Sequence, residues 1–178
     1  MEYVKESPTG IDIHIQKLQN FLYPQLKKVW GITDNTSFDM YGRAYRNQVK
    51  DGFIPEAYVG NKEYREVLFN DKLKAISFFG VGENVRYSKG TATAPVYLIV
   101  MVNLSSVKNK VSRADEEVHV DVQKLLQPGR SGFDMTEFVT GIENVFKEYS
   151  GWRAKEGIKY RDMQPFHCFR INLSLTYN

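Results

Sequence analysis

A chain of 178 residues, 42% hydrophobic and 25% charged, has the size and make-up of one folded domain with a core of its own. Its 24 basic and 21 acidic side chains leave a net charge of +3, far from the excess of a dedicated nucleic-acid binder. No apolar run approaches the ~20 residues of a membrane-spanning helix, the leading MEYVKESPTG has no apolar signal core, and the lone Cys168 excludes an intramolecular disulfide or a thiolate metal cluster. Synthesis inside a cell is the resulting expectation.

After a lead over 1–10, expected to be flexible, Ile11, Ile15, Leu18, Leu22 and Leu26 recur on one face of a helix spanning 11–30. Pro24 falls inside that pattern and should kink or break it near Tyr23. Lys27 and Lys28 suit a helix C-terminus, and Gly31 suits its stop.

From 38 to 104 the texture is that of strands. A first strand is expected over Ser37–Tyr45, with Lys50-Asp-Gly52 as a turn. Phe53–Val59 follows as an irregular strand that Pro55 assigns to an edge or a bulge. Lys62–Phe69 fits a strand or a short helix, and Ala75–Phe79 is a short apolar strand. Gly80-Val-Gly82 and Ser88-Lys-Gly90 flank a hairpin tip. The run Ala94–Leu104 then stands out. Val96 to Val102 is unbroken apolar sequence, opened by Pro95 and rich in β-branched and aromatic types. Val96, Leu98, Val100 and Val102 share one face of this strand, and Tyr97, Ile99 and Met101 the other, so both faces need cover.

Beyond it, SSVKNKVS is a polar, basic loop. Ser112 with Asp115 signals a helix start, and Val118, Val122, Leu125 and Leu126 form that helix's apolar side. Pro128-Gly129 ends it. Asp134 with Glu137 signals a second start, and Phe138, Ile142, Val145, Phe146 and Tyr149 form a second stripe closed by Ser150-Gly151. Two helices are therefore expected within 112–150. From His167 the odd positions are mostly apolar and the even ones mostly polar, a closing strand over 165–177 that is wet on one side. Helix, strands, two helices and a strand make an α+β domain with a mostly antiparallel sheet.

Chemical signatures are scarce. His14, His119 and His167 lie in no metal or nucleophile spacing, and His167 and Cys168, as strand neighbours, point to opposite faces. His119 belongs to the charged stretch that starts at Asp115 and reads as solvated. Asp115, Glu116, Glu117 and Asp121 spread around their helix and do not converge on one ion. Gly80-Val-Gly82 lacks the third glycine and the following helix of a dinucleotide loop. Neither a catalytic nor a cofactor-binding nor a metal-binding residue is assigned, and the expectation is a non-enzyme without a cofactor. The basic candidates are Arg43, Arg46 and Lys50; Lys108, Lys110 and Arg113; and Arg153, Lys155, Lys159 and Arg161.

The segments IDIHIQKLQNFLYPQL, YGRAYRN, PEAYVGNKEYREVLF, SFFGVGE, ADEEVHVDVQ, GIENVFKEYSGW and IKYRDMQPFHCFRINLSLTY resemble small virion proteins of tailed phages of Bacteroides-type hosts, the crAss-like group among them. The element order is similar to that of tail-completion and tail-terminator proteins. The resemblance covers about Ile11 to Tyr177. It implies a structural protein of the phage neck or head–tail connector, a ring oligomer (hexamer or dodecamer) around the channel through which genomic DNA passes. It further implies a virion location after assembly in the host cytoplasm, and neck, portal or tail proteins as neighbours, with no membrane partner. Under this reading the basic loop Lys108, Lys110 and Arg113 faces a neighbour or loosely attracts channel DNA. Tyr97, Ile99 and Met101 are the candidate subunit-interface face. The alternative from another class is a non-sequence-specific nucleic-acid-binding module resting on the same basic loop.

Overall fold

The computed structural model describes residues 1–67, 70–107, 113–127, 132–153 and 162–178. The elements are β1 (Glu2–Tyr3), α1 (Ile11–Val29), β2 (Phe38–Val49), β3 (Gly52–Gly60), β4 (Glu63–Glu66), β5 (Ala75–Val81), β6 (Arg86–Ser88), β7 (Thr91–Asn103), α2 (Leu104–Val107), α3 (Asp115–Leu125), β8 (Phe133–Thr140), α4 (Ile142–Val145), α5 (Ser150–Arg153) and β9 (Phe166–Tyr177). They form an α+β fold around one sheet of order β4-β3-β2-β5-β7-β9-β8, with β1 added to β2 and β6 to β7. The pairings β1–β2 and β2–β5 are parallel and the rest antiparallel.

The apolar run from Val96 to Val102 lies in β7 at the centre of this sheet, between β5 and β9. Its two faces enter two separate cores. Val96, Leu98, Val100 and Val102 pack with Ile15, Leu18, Leu22 and Leu26 of α1 and with Val118 and Val122 of α3. Tyr97, Ile99 and Met101 pack with Ile76, Phe78, Val145, Phe146, Tyr149 and Trp152.

That second core corrects the expected interface. Tyr97, Ile99 and Met101 are at most 2% exposed. They are covered by the stretch after β8 and by residues on the same side of β2 and β3, so no neighbouring subunit is needed. Each such side chain gains about 1.5–3 kcal/mol from burial, which is reason enough to close the face within the chain.

α1 runs unbroken through Pro24, against expectation. Proline removes one backbone bond and costs about 3 kcal/mol in a helix interior. Five buried apolar side chains of α1, placed before and after Pro24, outweigh that cost, and Pro24 itself faces solvent. The stop at Gly31 is as expected: with φ 65°, it lets Ile32 N–H reach the Lys27 carbonyl at 2.8 Å and its own N–H reach that of Lys28 at 3.4 Å. The lead is tied down rather than loose. β1 joins β2, the Met1 amine bonds the Phe38 carbonyl, and Gln19 donates to the Tyr3 carbonyl at 3.0 Å.

Of the two helices expected within 112–150, only α3 forms as a multi-turn helix. Ser112, its expected cap, lies outside the described residues. Phe133–Thr140 is the strand β8, paired with β9 from Phe133↔Leu175 to Thr140↔Phe169. The helix start expected at Asp134 with Glu137 therefore falls within a strand. Gly141, at φ 82°, cannot continue a helix, and Phe138, Val139 and Thr140 before it are strand formers that find a ladder on β9. After Gly141 the pattern survives: Val145, Phe146 and Tyr149 do gather on one side, in α4 and the turn before α5. α5 docks closely on β3, since a Cβ on Gly52 would lie 2.7 Å from the Gly151 nitrogen. β9 is accordingly half-wet only in its second half. Cys168 and Arg170, on the side expected to be wet, are both buried.

Candidate functional site

The structure sets most of the sequence candidates apart. Lys108 and Lys110 lie outside the described residues, as do Lys155, Lys159 and Arg161. Arg113 is exposed and donates from Nε to Asp115 Oδ2 at 2.7 Å. Arg43 sits 3.5 Å from Asp12 and over the Tyr45 ring, and Arg46 pairs with Glu83 over the Phe53 ring. These guanidinium groups therefore meet internal carboxylates. Asp121 accepts from the Trp30 indole at 3.2 Å. Among the described residues, no group of three or more His, Cys, Asp or Glu side chains is placed to hold a metal ion.

Two polar arrangements that the sequence did not reveal stand out instead. The first lies between α3 and β9. His119 and His167 are both buried and meet Nε2 to Nε2 at 2.7 Å. His167 Nδ1 lies 2.6 Å from Asp162 Oδ1. With a carboxylate accepting from Nδ1–H, His167 presents a bare Nε2, so His119 donates to it. The His119 ring lies 4.2 Å from that of Phe138 and 4.8 Å from that of Phe169. Glu116 stands 3.8 Å from His119 Nδ1, and Asp115 stands 3.9 Å from His167 Nδ1. Burial, followed by the His167 neighbour, holds His119 below the ordinary histidine range. This arrangement joins α3 to the sheet through the contact between the two rings.

The acidic neighbours of His119 point to a solvated face, but the side chain is buried. The signal that finds it is its spacing: with Val118, Val122 and Leu126 it falls on the buried side of α3. His167 shares the face of Phe169 and Ile171, while Cys168 points into the other core, so those neighbours do not pair. Burial pushes the Cys168 thiol far up, away from thiolate chemistry.

The second arrangement borders a cleft of about 510 Å³ on the opposite face, near Arg46, Glu83, Lys147 and Glu148. Its floor is Arg170, 5% exposed. The guanidinium lies 3.9 Å from the Tyr97 ring centre, donates from Nε to Asn172 Oδ1 at 2.6 Å and pairs through Nη1 with Glu148. The Tyr97 hydroxyl donates to that of Tyr149 at 3.0 Å. Burial pushes Tyr97 up to about 12 and Tyr149 well above the usual phenol range. Gly80 makes this packing feasible, because a Cβ there would lie 2.1 Å from the Tyr97 ring. The arginine is thus committed to internal partners, and the cluster anchors the second core.

No helix among the described residues is long and apolar enough to cross a membrane. No family model, no curated protein and no solved structure matches the chain.

Proposed function

We propose that the chain is a structural virion protein, a subunit of a cyclic homo-oligomer in the phage neck or head–tail interface through which genomic DNA passes. The resemblance supplies that identity. The observation that supports it most is the form of the sheet. β4 and β8 are its outermost strands on opposite sides, both are largely exposed, and they differ in sequence. Both faces of the central strand are closed within the chain, so assembly falls to edges, hairpins and clefts. Contacts between unlike surfaces of identical copies are head-to-tail, and they close into a ring when the rotation allows. Glu63 and Glu66 on β4, with Asp134 and Glu137 on β8, oppose indiscriminate strand addition. A modest charge of +3 suits a channel that must let DNA slide.

Native mass spectrometry and electron microscopy of the purified protein, with peptide mapping of virions, test this reading. The expected result is a closed ring of fixed copy number and recovery of the chain in particles. A strict monomer at every concentration, absent from particles, overturns it.

A further inference from the structure

Residues 1–5 lie in a groove between α1 and the edge of β2. β5 takes one edge of β2 from Phe38 to Arg43, and β3 takes the other only from Ala44 to Val49. The first half of that second edge is left to β1, in the register Glu2↔Met40 and Tyr3↔Tyr41. Met40 N–H donates to the Met1 carbonyl at 2.8 Å. Gln19 donates from Nε2 to the Tyr3 carbonyl at 3.0 Å and to the Met40 carbonyl at 3.1 Å, so one amide ties segment and strand together. Gln16 treats Lys5 as a neighbouring strand would. Its Oε1 accepts from Lys5 N–H at 2.9 Å, and its Nε2 donates to the Lys5 carbonyl at 3.0 Å. All of these contacts read backbone.

Two side chains add selectivity. The Tyr3 ring stacks on that of Tyr41, with centroids 4.5 Å apart and planes 4° from parallel. Lys5 Nζ donates to Asp12 Oδ2 at 3.1 Å and lies 6.0 Å from the Tyr64 ring centre. Backbone bonds along a sheet edge, with contacts for alternate side chains, are the way a sheet receives an extended peptide. The connection to α1 is of another kind. Glu6 and Ser7 are exposed, and Glu6 to Pro8 make no hydrogen bond or ion pair with other described residues. Residues 6–10 span up to about 17 Å when extended. The segment is held by its groove, and the connection adds only covalent attachment.

We infer that residues 1–5 are a strap exchanged between copies, the strap of one chain filling the α1–β2 groove of the next. A second copy is the occupant whose fit is given in full, because its strap carries the same Tyr3, Lys5 and backbone groups. Exchange keeps every one of these contacts and changes only the chain that supplies it, which makes swapping of an element a low-cost route to assembly. A connection without bonds of its own lets the strap leave while α1 stays packed. Strap and groove are different surfaces, so a row of such contacts is head-to-tail and closes when the rotation allows. The exchange rests on the ring reading proposed above and names the contact between neighbours.

Sedimentation velocity and native mass spectrometry of the full chain test it with a strap variant, Tyr3→Ala/Lys5→Ala, and a groove variant, Asp12→Asn/Gln16→Ala. None of the four side chains belongs to the apolar stripe of α1, so each variant keeps the fold, and a cooperative urea transition checks this. Each variant alone should lose about tenfold or more in self-association. Mixed one to one, the two should form a heterodimer and stop there. Only the strap of the groove variant and the groove of the strap variant are intact, and they can meet only between chains. Rings that persist in both variants, or a mixture without the heterodimer, overturn the exchange and leave the ring reading standing. A wild-type protein that stays monomeric at every concentration overturns both.

Discussion

The two sides of β7 solve the same packing problem with different chemistry. On one side Val96, Leu98, Val100 and Val102 meet the long helix α1 and the shorter α3 through continuous apolar stripes, with the His119–His167 contact at the α3 edge. On the other, Tyr97, Ile99 and Met101 lie under short helical turns, and the packing is pinned by the Tyr97–Tyr149 hydroxyl pair and the Arg170–Glu148 ion pair. A long amphipathic helix buries a continuous stripe and needs few polar contacts. Four-residue turns such as α4 and α5 present little apolar surface each, so specific polar partners and a glycine-to-glycine approach to β3 help hold them in place. The lesson is that the pinned side should depend most on single polar partners, and the helix side on its apolar stripe, with the His119–His167 contact adding a pH dependence.

The largest effect expected from this contrast is at Ile99. Replacing it with Asn buries an unpartnered amide in the second core and removes apolar volume, a combined loss of roughly 4 kcal/mol or more. Urea unfolding should show collapse of the monomer itself. A folded monomer that merely fails to assemble would restore Tyr97, Ile99 and Met101 as a subunit interface. Next comes Glu148→Ala, which strands the buried Arg170 charge and should cost about 3–5 kcal/mol. Glu148→Leu combined with Arg170→Met should recover most of that loss in the same assay. If the single and the double variant are equally destabilised, the pair is not what pins this side.

A smaller effect is expected on the helix side and depends on pH. His119 is held below its ordinary value of 6.5, so the unfolded chain takes up its proton before the folded one does. Stability is therefore complete above about pH 7.5 and falls as pH drops through 6.5 toward the depressed folded value. The groups that face the pair are Asp115 and Glu116 from α3 and Asp162 from the turn before β9. The urea midpoint of the wild type should fall between pH 8 and 5, and that of His119→Gln should fall less. Equal slopes would show that the His119–His167 contact does not couple α3 to protonation. The smallest effect is expected from reversing the charges of Lys108, Lys110 and Arg113, which should leave the urea midpoint nearly unchanged, since the exposed Arg113–Asp115 pair contributes little. If the wild type binds DNA at low salt, the same variant should flatten the salt dependence.

Much of the frame was legible in the residues. Periodicity located α1, α3, β7 and β9, and the odd–even split of β7 matches the two cores residue by residue. Where the structure departs from local pattern, the cause is long-range pairing. Phe138, Ile142, Val145, Phe146 and Tyr149 fit a helical period, yet Phe138 belongs to a strand whose bonds come from β9, far away in the chain. Of the candidate sites, little was legible. The His119–His167 contact joins residues 48 positions apart, and the Tyr97–Tyr149 contact residues 52 apart. Acidic neighbours disguised the first, and an alternation that reads as half-wet disguised the buried Arg170.

By itself the sequence determined the α+β class, the central strand with two buried faces and the helix stop at Gly31. These follow from local period and backbone freedom, which a few neighbouring residues express. Only the tertiary structure decided that Phe133–Thr140 is a strand, that α1 passes through Pro24, and that the far side of β7 is closed within the chain. In each case a long-range gain, a ladder on β9 or a stripe packed on the sheet, exceeds a local preference of a few kcal/mol at most.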